Sequence, residues 1–317
     1  MEIADRRLRI APTVGGMRAG EPPLAGRYAL VDEIGAGGMG SVWRARDLRE
    51  RRYVAVKLLG RYDDALLQRF VREQAVRVHH RHVVAPHDWA ADGGRVLLAM
   101  DLVGGGSVED LLAEHGPLPE QVVAGLLDQL LQALTAVHAA GVVHRDVKPA
   151  NLLLEPTGAG RPHLRLADFG VAAVLGEQRL TRQPSGVGTR GYAAPEQLAG
   201  GEPDPRQDLY AVGVVGRELL TARHPGHLAS VRPAGRLGPL LDALADPDPA
   251  RRPASAADAL VRLRRLALPD PSYWPMVGDR LGPPPEPGDP GRVAALLACL
   301  CFVAALALSV AAALLAT

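Results

Sequence analysis

The octapeptide His144-Arg145-Asp146-Val147-Lys148-Pro149-Ala150-Asn151 constrains this chain more than any other stretch, because it sets a carboxylate, an ammonium and an amide within one short segment. Composition sharpens the point. The 36 basic residues include only two lysines, Lys57 and Lys148, and the chain holds a single asparagine, Asn151. An Ala-, Arg-, Gly- and Pro-rich composition of the kind a GC-rich genome encodes accounts for the scarcity, but not for where the survivors sit. Arginine replaces most surface lysines at little cost, whereas a compact ammonium and a planar, always-charged fork are not equivalent at a close phosphate contact. The other lysine, Lys57, closes the strand-like run Val54-Ala55-Val56-Lys57.

Further motifs stand in order around these residues. Upstream, Ile34-Gly35-Ala36-Gly37-Gly38-Met39-Gly40-Ser41-Val42 has the pattern G-x-G-x-x-G-x-V. Glycines there let backbone amides approach phosphate oxygens that a Cβ would hold off. A dinucleotide-binding loop shares the glycines but must open a helix. Here a strand-like segment and a charged turn through Arg49 to Arg52 lead to Lys57 instead. Downstream, Asp168-Phe169-Gly170 follows 17 residues after Asn151, and Ala194-Pro195-Glu196 comes after it. This ordered set resembles the Ser/Thr protein kinases of the eukaryotic-like (Hanks) type found in bacteria, over roughly Arg27 to Leu266. The resemblance implies an α+β, two-lobed protein-kinase fold, with a small β-rich N-lobe over 27–100, a hinge over 101–104 and a larger helical C-lobe over 105–266.

The same resemblance assigns roles. Ile34, Gly35, Gly37, Gly38, Gly40 and Val42 would cover ATP, with Val42 and Ala55 against the adenine and the main chain of Asp101 and Val103 bonded to it. Lys57 would hold the α- and β-phosphates and be paired by Glu73, the only Glu between Lys57 and Met100. Asp146 would take or orient the proton of the substrate hydroxyl, Lys148 would neutralise the γ-phosphate, and Asn151 and Asp168 would ligate Mg²⁺. A neutral amide suits a hard cation through its oxygen without adding charge to an anionic site. Lysine two residues after the aspartate matches the Ser/Thr rather than the tyrosine enzymes, so protein Ser/Thr side chains are the expected acceptors. With Lys57, Glu73, Asp146, Asn151 and Asp168 all present, an active phosphotransferase is expected over its alternative, a membrane-anchored ATP-binding pseudokinase scaffold.

Structural and regulatory residues follow the same pattern. Glu196 is expected to pair with Arg252, and Asp208 to brace the catalytic-loop backbone. Thr189 matches a threonine that contacts the catalytic Asp and Lys. Arg145 beside Asp146 suggests switching by phosphate on the activation segment, at Thr181 first or Ser185. Gly104-Gly105-Gly106 reads as a flexible exit from the hinge into a helix capped by Ser107, with Asp110 completing an acidic capping box. The chain departs from the family between Glu73 and Arg81, which is about two residues short, with Arg81 where a proline is usual. After Thr221 it is about 20 residues short, which trims a surface that often docks substrates.

The C-terminal region is different in kind. Ala267 to Arg292 contains eight prolines and reads as a stiff, extended tether. Residues 293–316 carry no charge and as a helix would reach about 36 Å, enough to cross a hydrocarbon core of about 30 Å. A single-pass plasma-membrane anchor is expected, with the kinase domain cytoplasmic and the C-terminus at the outer face. Small residues along the span permit two copies to associate, as a homodimer phosphorylating itself in trans would need. No sensor is expected beyond the span, so signals are expected from within the membrane, from the cytoplasm or through a partner. Residues 1–26 read as a disordered tail, and the net charge of +1 gives no reason to expect nucleic acid. Cys299 and Cys301 both fall in the span, and His79, His80, His82 and His87 occupy a turn and strand and are not read as zinc ligands.

Overall fold

The structure is a computed structural model and describes residues 22–37, 40–61, 78–92, 95–168, 191–227 and 235–284. Strands β1 (Tyr28–Gly37), β2 (Gly40–Asp47), β3 (Arg52–Arg61), β4 (Pro86–Asp92) and β5 (Arg95–Met100) form one antiparallel sheet in the order β1-β2-β3-β5-β4. Side chains alternate across a strand, so each of the two central strands feeds two apolar layers. Val54, Val56 and Leu58 of β3 join Leu97 and Ala99 of β5 and Tyr28 on the outer face. Ala55 and Leu59 join Val96, Leu98 and Met100 on the other. Lys57 lies between Ala55 and Leu59 in this alternation, opposite Leu98, so β3 delivers its one ammonium to the inner face.

Past Met100 the chain enters a helical half. Helix α1 (Val108–His115) begins with the capping box read in the sequence: Ser107 Oγ accepts from Asp110 N at 3.1 Å, and Asp110 Oδ2 accepts from Ser107 N at 2.8 Å. Helix α2 (Glu120–Ala139) buries Val122, Val123, Leu126, Leu127, Leu130, Leu131, Leu134 and Val137, a helical-period stripe that makes it the spine of the core. Among the described residues it alone is long and apolar enough to cross a membrane, and it is buried within the domain. A hairpin, β6 (Leu152–Glu155) with β7 (His163–Leu166), follows a 3₁₀ turn at Pro149–Asn151. Helices α3 (Pro195–Leu198), α4 (Pro205–Thr221), α5 (Gly238–Leu244) and α6 (Ala256–Arg265) complete the second lobe.

Two boundaries differ from the sequence expectation. Order begins before residue 27: Leu24 pairs with Tyr28, and Ala25 N donates to Asp92 at 2.8 Å. The proline-rich segment also does not leave the domain at 267. Val277 is buried and exchanges two hydrogen bonds with Gly158, and the chain stays against the protein to Gly282, whose O accepts from Arg44. Trp274 and Val277 supply the apolar surface that holds it, which a reading weighted on prolines overlooks. The tail before 22 and residues 285–317, with the expected span, lie outside the described residues.

Candidate active site

The octapeptide forms a compact polar cluster. Lys148 Nζ bonds both Asp146 oxygens, at 3.0 and 2.8 Å. Asn151 Nδ2 donates to the Asp146 backbone carbonyl at 2.7 Å and to Asp146 Oδ2 at 2.9 Å. The asparagine thus uses its nitrogen to fix the carboxylate, and its acceptor oxygen is left to face other groups. His144 is buried. Its Nδ1 accepts from Asp146 N at 3.2 Å, so in the neutral ring Nε2 is the donor and bonds Ala167 O at 3.0 Å.

The loop backbone is unusual at Arg145, whose φ is +65°. A left-handed non-glycine residue costs about 1–3 kcal/mol and persists only when its surroundings over-determine it. Asp208, on the first turn of α4, does so by accepting from His144 N at 2.8 Å and Arg145 N at 2.7 Å. The same carboxylate accepts from His138 Nε2 at 2.8 Å, and Gln197 Nε2 donates to Arg145 O at 3.0 Å. Pro205 at the first helical position and the Asp204 cap start α4 where Asp208 can reach the loop.

Across the cleft Lys57, buried midway along β3's inner face, forms an ion pair with Asp168 at 2.7 Å. Asp168 also has a positive φ, of +65°. Above the pair, β1 and β2 close at Gly37 and Gly40. Gly40 has φ +139°, and a Cβ there would run into the Leu58 carbonyl of β3. Its glycine identity is therefore set by the strand beneath. The inner apolar layer continues from the sheet into the second lobe: Ile34, Val42, Leu102, Val103 and Leu153 pack against Ala55, Met100 and Ala167. Ala167 ties this apolar cluster to the polar groups: its N donates to Asn151 O at 2.9 Å, its O bonds His144, and Asp168 follows it in the chain.

A protein kinase domain profile matches residues 28–232. This chain belongs to the protein kinase family. It is 40% identical over 207 residues to the serine/threonine-protein kinase PknL of Mycobacterium tuberculosis, covering 64% of this chain and 51% of that protein. It is 38% identical over 219 residues to the serine/threonine-protein kinase PkaA of Streptomyces coelicolor, with 64% and 40% covered. To PknA of M. tuberculosis it is 37% identical over 212 residues, with 64% and 48% covered. The chain thus spans about half the length of the curated relatives it matches, or less.

Within this kinase-family domain, Glu196 and Arg252 meet as a fork, at 2.5 and 2.8 Å. Arg252 is buried and holds the Glu196 carboxyl below its ordinary range by hydrogen bonding. Glu73, Gly38, Thr181, Ser185 and Thr189 lie outside the described residues, so the partner of Lys57 within them is Asp168. Three features were not anticipated. Leu153 joins the inner apolar cluster because β6 alternates, burying Leu152 and Leu154 in the core; period-2 alternation after Asn151 is the signal that would have found it. The Asp101 side chain is clamped by Arg165 at 2.9 Å and Arg52 at 3.2 Å. Burial pushes that carboxyl up, but the two arginines outweigh it and hold it below its ordinary range. Third, Gly104-Gly105-Gly106, read as flexible, is covered by residues 277–281.

Proposed function

We propose that this protein is a serine/threonine kinase that moves the γ-phosphate of ATP to Ser/Thr hydroxyls of proteins, its own chain included, at the cytoplasmic face of a plasma membrane. The reading is carried by one observation: Asp146, Lys148 and Asn151 are locked together on one side of a cleft whose other side offers Lys57 paired with Asp168. The donor set suits ATP and Mg²⁺. Asn151 commits its nitrogen to Asp146 and keeps an oxygen for a hard cation, and Asp168 adds a carboxylate. The apolar side chains of Ala55, Val42 and Leu153, gathered in one cluster, suit the faces of an adenine ring. When bound, Mg-ATP supplies the phosphoryl group and the charge compensation that transfer needs.

The chain's own residues then divide the work. Asp146, held by Lys148 and Asn151, presents a carboxylate to accept the proton of an incoming hydroxyl. Lys148 lies beside it, where an ammonium offsets charge on the transferred group. Asp208 keeps the loop in its strained conformation, so Asp146 needs little rearrangement to act. Membrane attachment is proposed through residues 293–316, whose uncharged length suffices for a span.

The test is phosphate incorporation by the full chain in liposomes with Mg-ATP, comparing wild type with Asp146→Asn and mapping sites that include Thr181 and Ser185. Loss of a general base predicts a fall of about 100-fold or more with nucleotide binding retained. Wild type that binds nucleotide but transfers nothing would refute the enzyme reading and leave a scaffold.

A further inference from the structure

We propose that residues 274–282 form a strap that positions the hinge and ties the two lobes together, and so sets how long a nucleotide stays in the cleft. The proposal rests on the kinase reading of that cleft and extends it to a segment beyond the last helix.

The strap is seated first on the helical lobe. The Trp274 ring lies 2.9 Å from where a Cβ of Gly125 on α2 would stand, and the Arg161 guanidinium sits 5.7 Å from the ring centre. Val277 is buried and exchanges two hydrogen bonds of 2.9 Å with Gly158. It crosses the hinge next. Val277 Cγ1 is 2.7 Å from the Cβ position of Gly105, and Arg280 Cδ is 2.5 Å from that of Gly106. Arg280 N donates to Gly104 O at 2.8 Å, while its guanidinium pairs with Glu114 on α1. Asp279 holds the following turn by accepting from Leu281 N at 2.9 Å and Gly282 N at 3.2 Å. Finally the strap reaches the sheet: Gly282 O accepts from Arg44 Nη1 of β2 at 2.9 Å, and Arg44 is itself buried and forked onto Asp32 at 2.6 and 2.8 Å.

The hinge glycines follow from this contact. A side chain at 105 or 106 would occupy the space that Val277 and Arg280 fill, and Gly106 further needs φ +80°. The glycine row is a seat for the strap. One segment is thus bonded in turn to the second lobe, the hinge and the first lobe. Opening the cleft must stretch the Arg44–Gly282 bond or lift the strap from the hinge, a resistance that neither lobe supplies alone. Strap residues are positioning residues: they touch the hinge that receives the nucleotide, not the nucleotide.

The experiment uses the full chain and two variants, Val277→Asp, which places a charge against Gly105 and Gly158, and Arg280→Ala, which removes the partly exposed arm. Hydrogen exchange reports residues 274–282 and 101–106, stopped-flow reports release of a fluorescent ATP analogue, and steady-state kinetics separate KM for ATP from kcat. Losing the one charge-assisted pair that clamps the strap to α1 predicts release about tenfold faster. KM for ATP should rise in parallel while kcat stays within about twofold, the split expected for a positioning role. Strap amides that exchange freely while release is unchanged would overturn the proposal. Wild type that binds no nucleotide would instead overturn the kinase reading, and the strap's role with it. Should Val277→Asp unfold the second lobe, Arg280→Ala at the surface carries the test.

Discussion

Removing Arg252 should cost this protein more than removing the carboxylate it pairs with. Its guanidinium, with a side chain 0% exposed, forks onto Glu196 and also donates to the carbonyls of Asp246 at 2.8 Å, Arg206 at 2.9 Å and Pro247 at 3.3 Å, while lying 5.1 Å from the Tyr210 ring centre. Glu196 is 25% exposed, so water reaches one side of the pair. Glu196→Gln leaves Arg252 with its three carbonyls and an amide oxygen, and should cost about 2 kcal/mol, below the 3–5 of a fully buried pair broken on one side. Arg252→Met keeps apolar volume over Tyr210 but orphans three carbonyls at about 1–3 kcal/mol each, with some rehydration, for about 4 kcal/mol net. In a domain of this size about 2–4 °C of Tm accompanies each kcal/mol, so expected losses are about 4–8 °C and 8–16 °C. The double variant should resemble Arg252→Met alone, since an exposed Glu196 rehydrates. The pair also titrates. The folded carboxyl lies below its ordinary 4.5, so its stabilisation is complete above that value and is lost as pH falls through the folded pKa. Thermal unfolding of the full chain across pH checks all of this. Equal losses for the two single variants, or a gap between wild type and Glu196→Gln that persists in strong acid, would refute the reasoning.

Two further outcomes are expected. Gly40→Ala forces a Cβ into the Leu58 carbonyl, so β2 must lift from β3 beside Lys57, and nucleotide affinity by calorimetric titration should weaken about tenfold or more; unchanged affinity would mean the roof does not touch the ligand. His82 is buried with Nδ1 bonded to Leu164 O, and burial pulls its pKa down from 6.5 to about 4, a gap worth about 3 kcal/mol. Because the folded state refuses this proton, stability should be full above pH 6.5 and fall as pH drops toward 4. Denaturant midpoints of His82→Gln should lose that part of the slope.

The polar centre of the site was legible because its chemistry permits few residue types at short separations. Asp146, Lys148 and Asn151 lie within one loop, and their mutual bonds are nearly local. What was not legible depends on residues brought together from far apart. Nothing local marks Arg52 and Arg165, on different strands, as the two hands on Asp101. Nothing around Asp208 except its family position shows that its carboxylate will carry two loop amides some 63 and 64 residues away. Such contacts are fixed by the packing of α2, α4 and the β6–β7 hairpin, which a residue pattern specifies only in sum.

The hinge and the proline-rich segment show the same limit more sharply. Read singly, Gly104-Gly105-Gly106 means freedom and the prolines after Ala267 mean an extended tether, and both inferences are sound for isolated peptides. Face to face they have the opposite effect. Glycine at 105 and 106 removes the Cβ that would keep the two backbones apart, so Val277 and Arg280 settle directly on the hinge. Proline restricts the unfolded segment, so less entropy is lost when it lies down along the surface. A local signal for freedom and a local signal for a detached tether thus combine into a rigid contact, and it joins the lobes where the cleft must open.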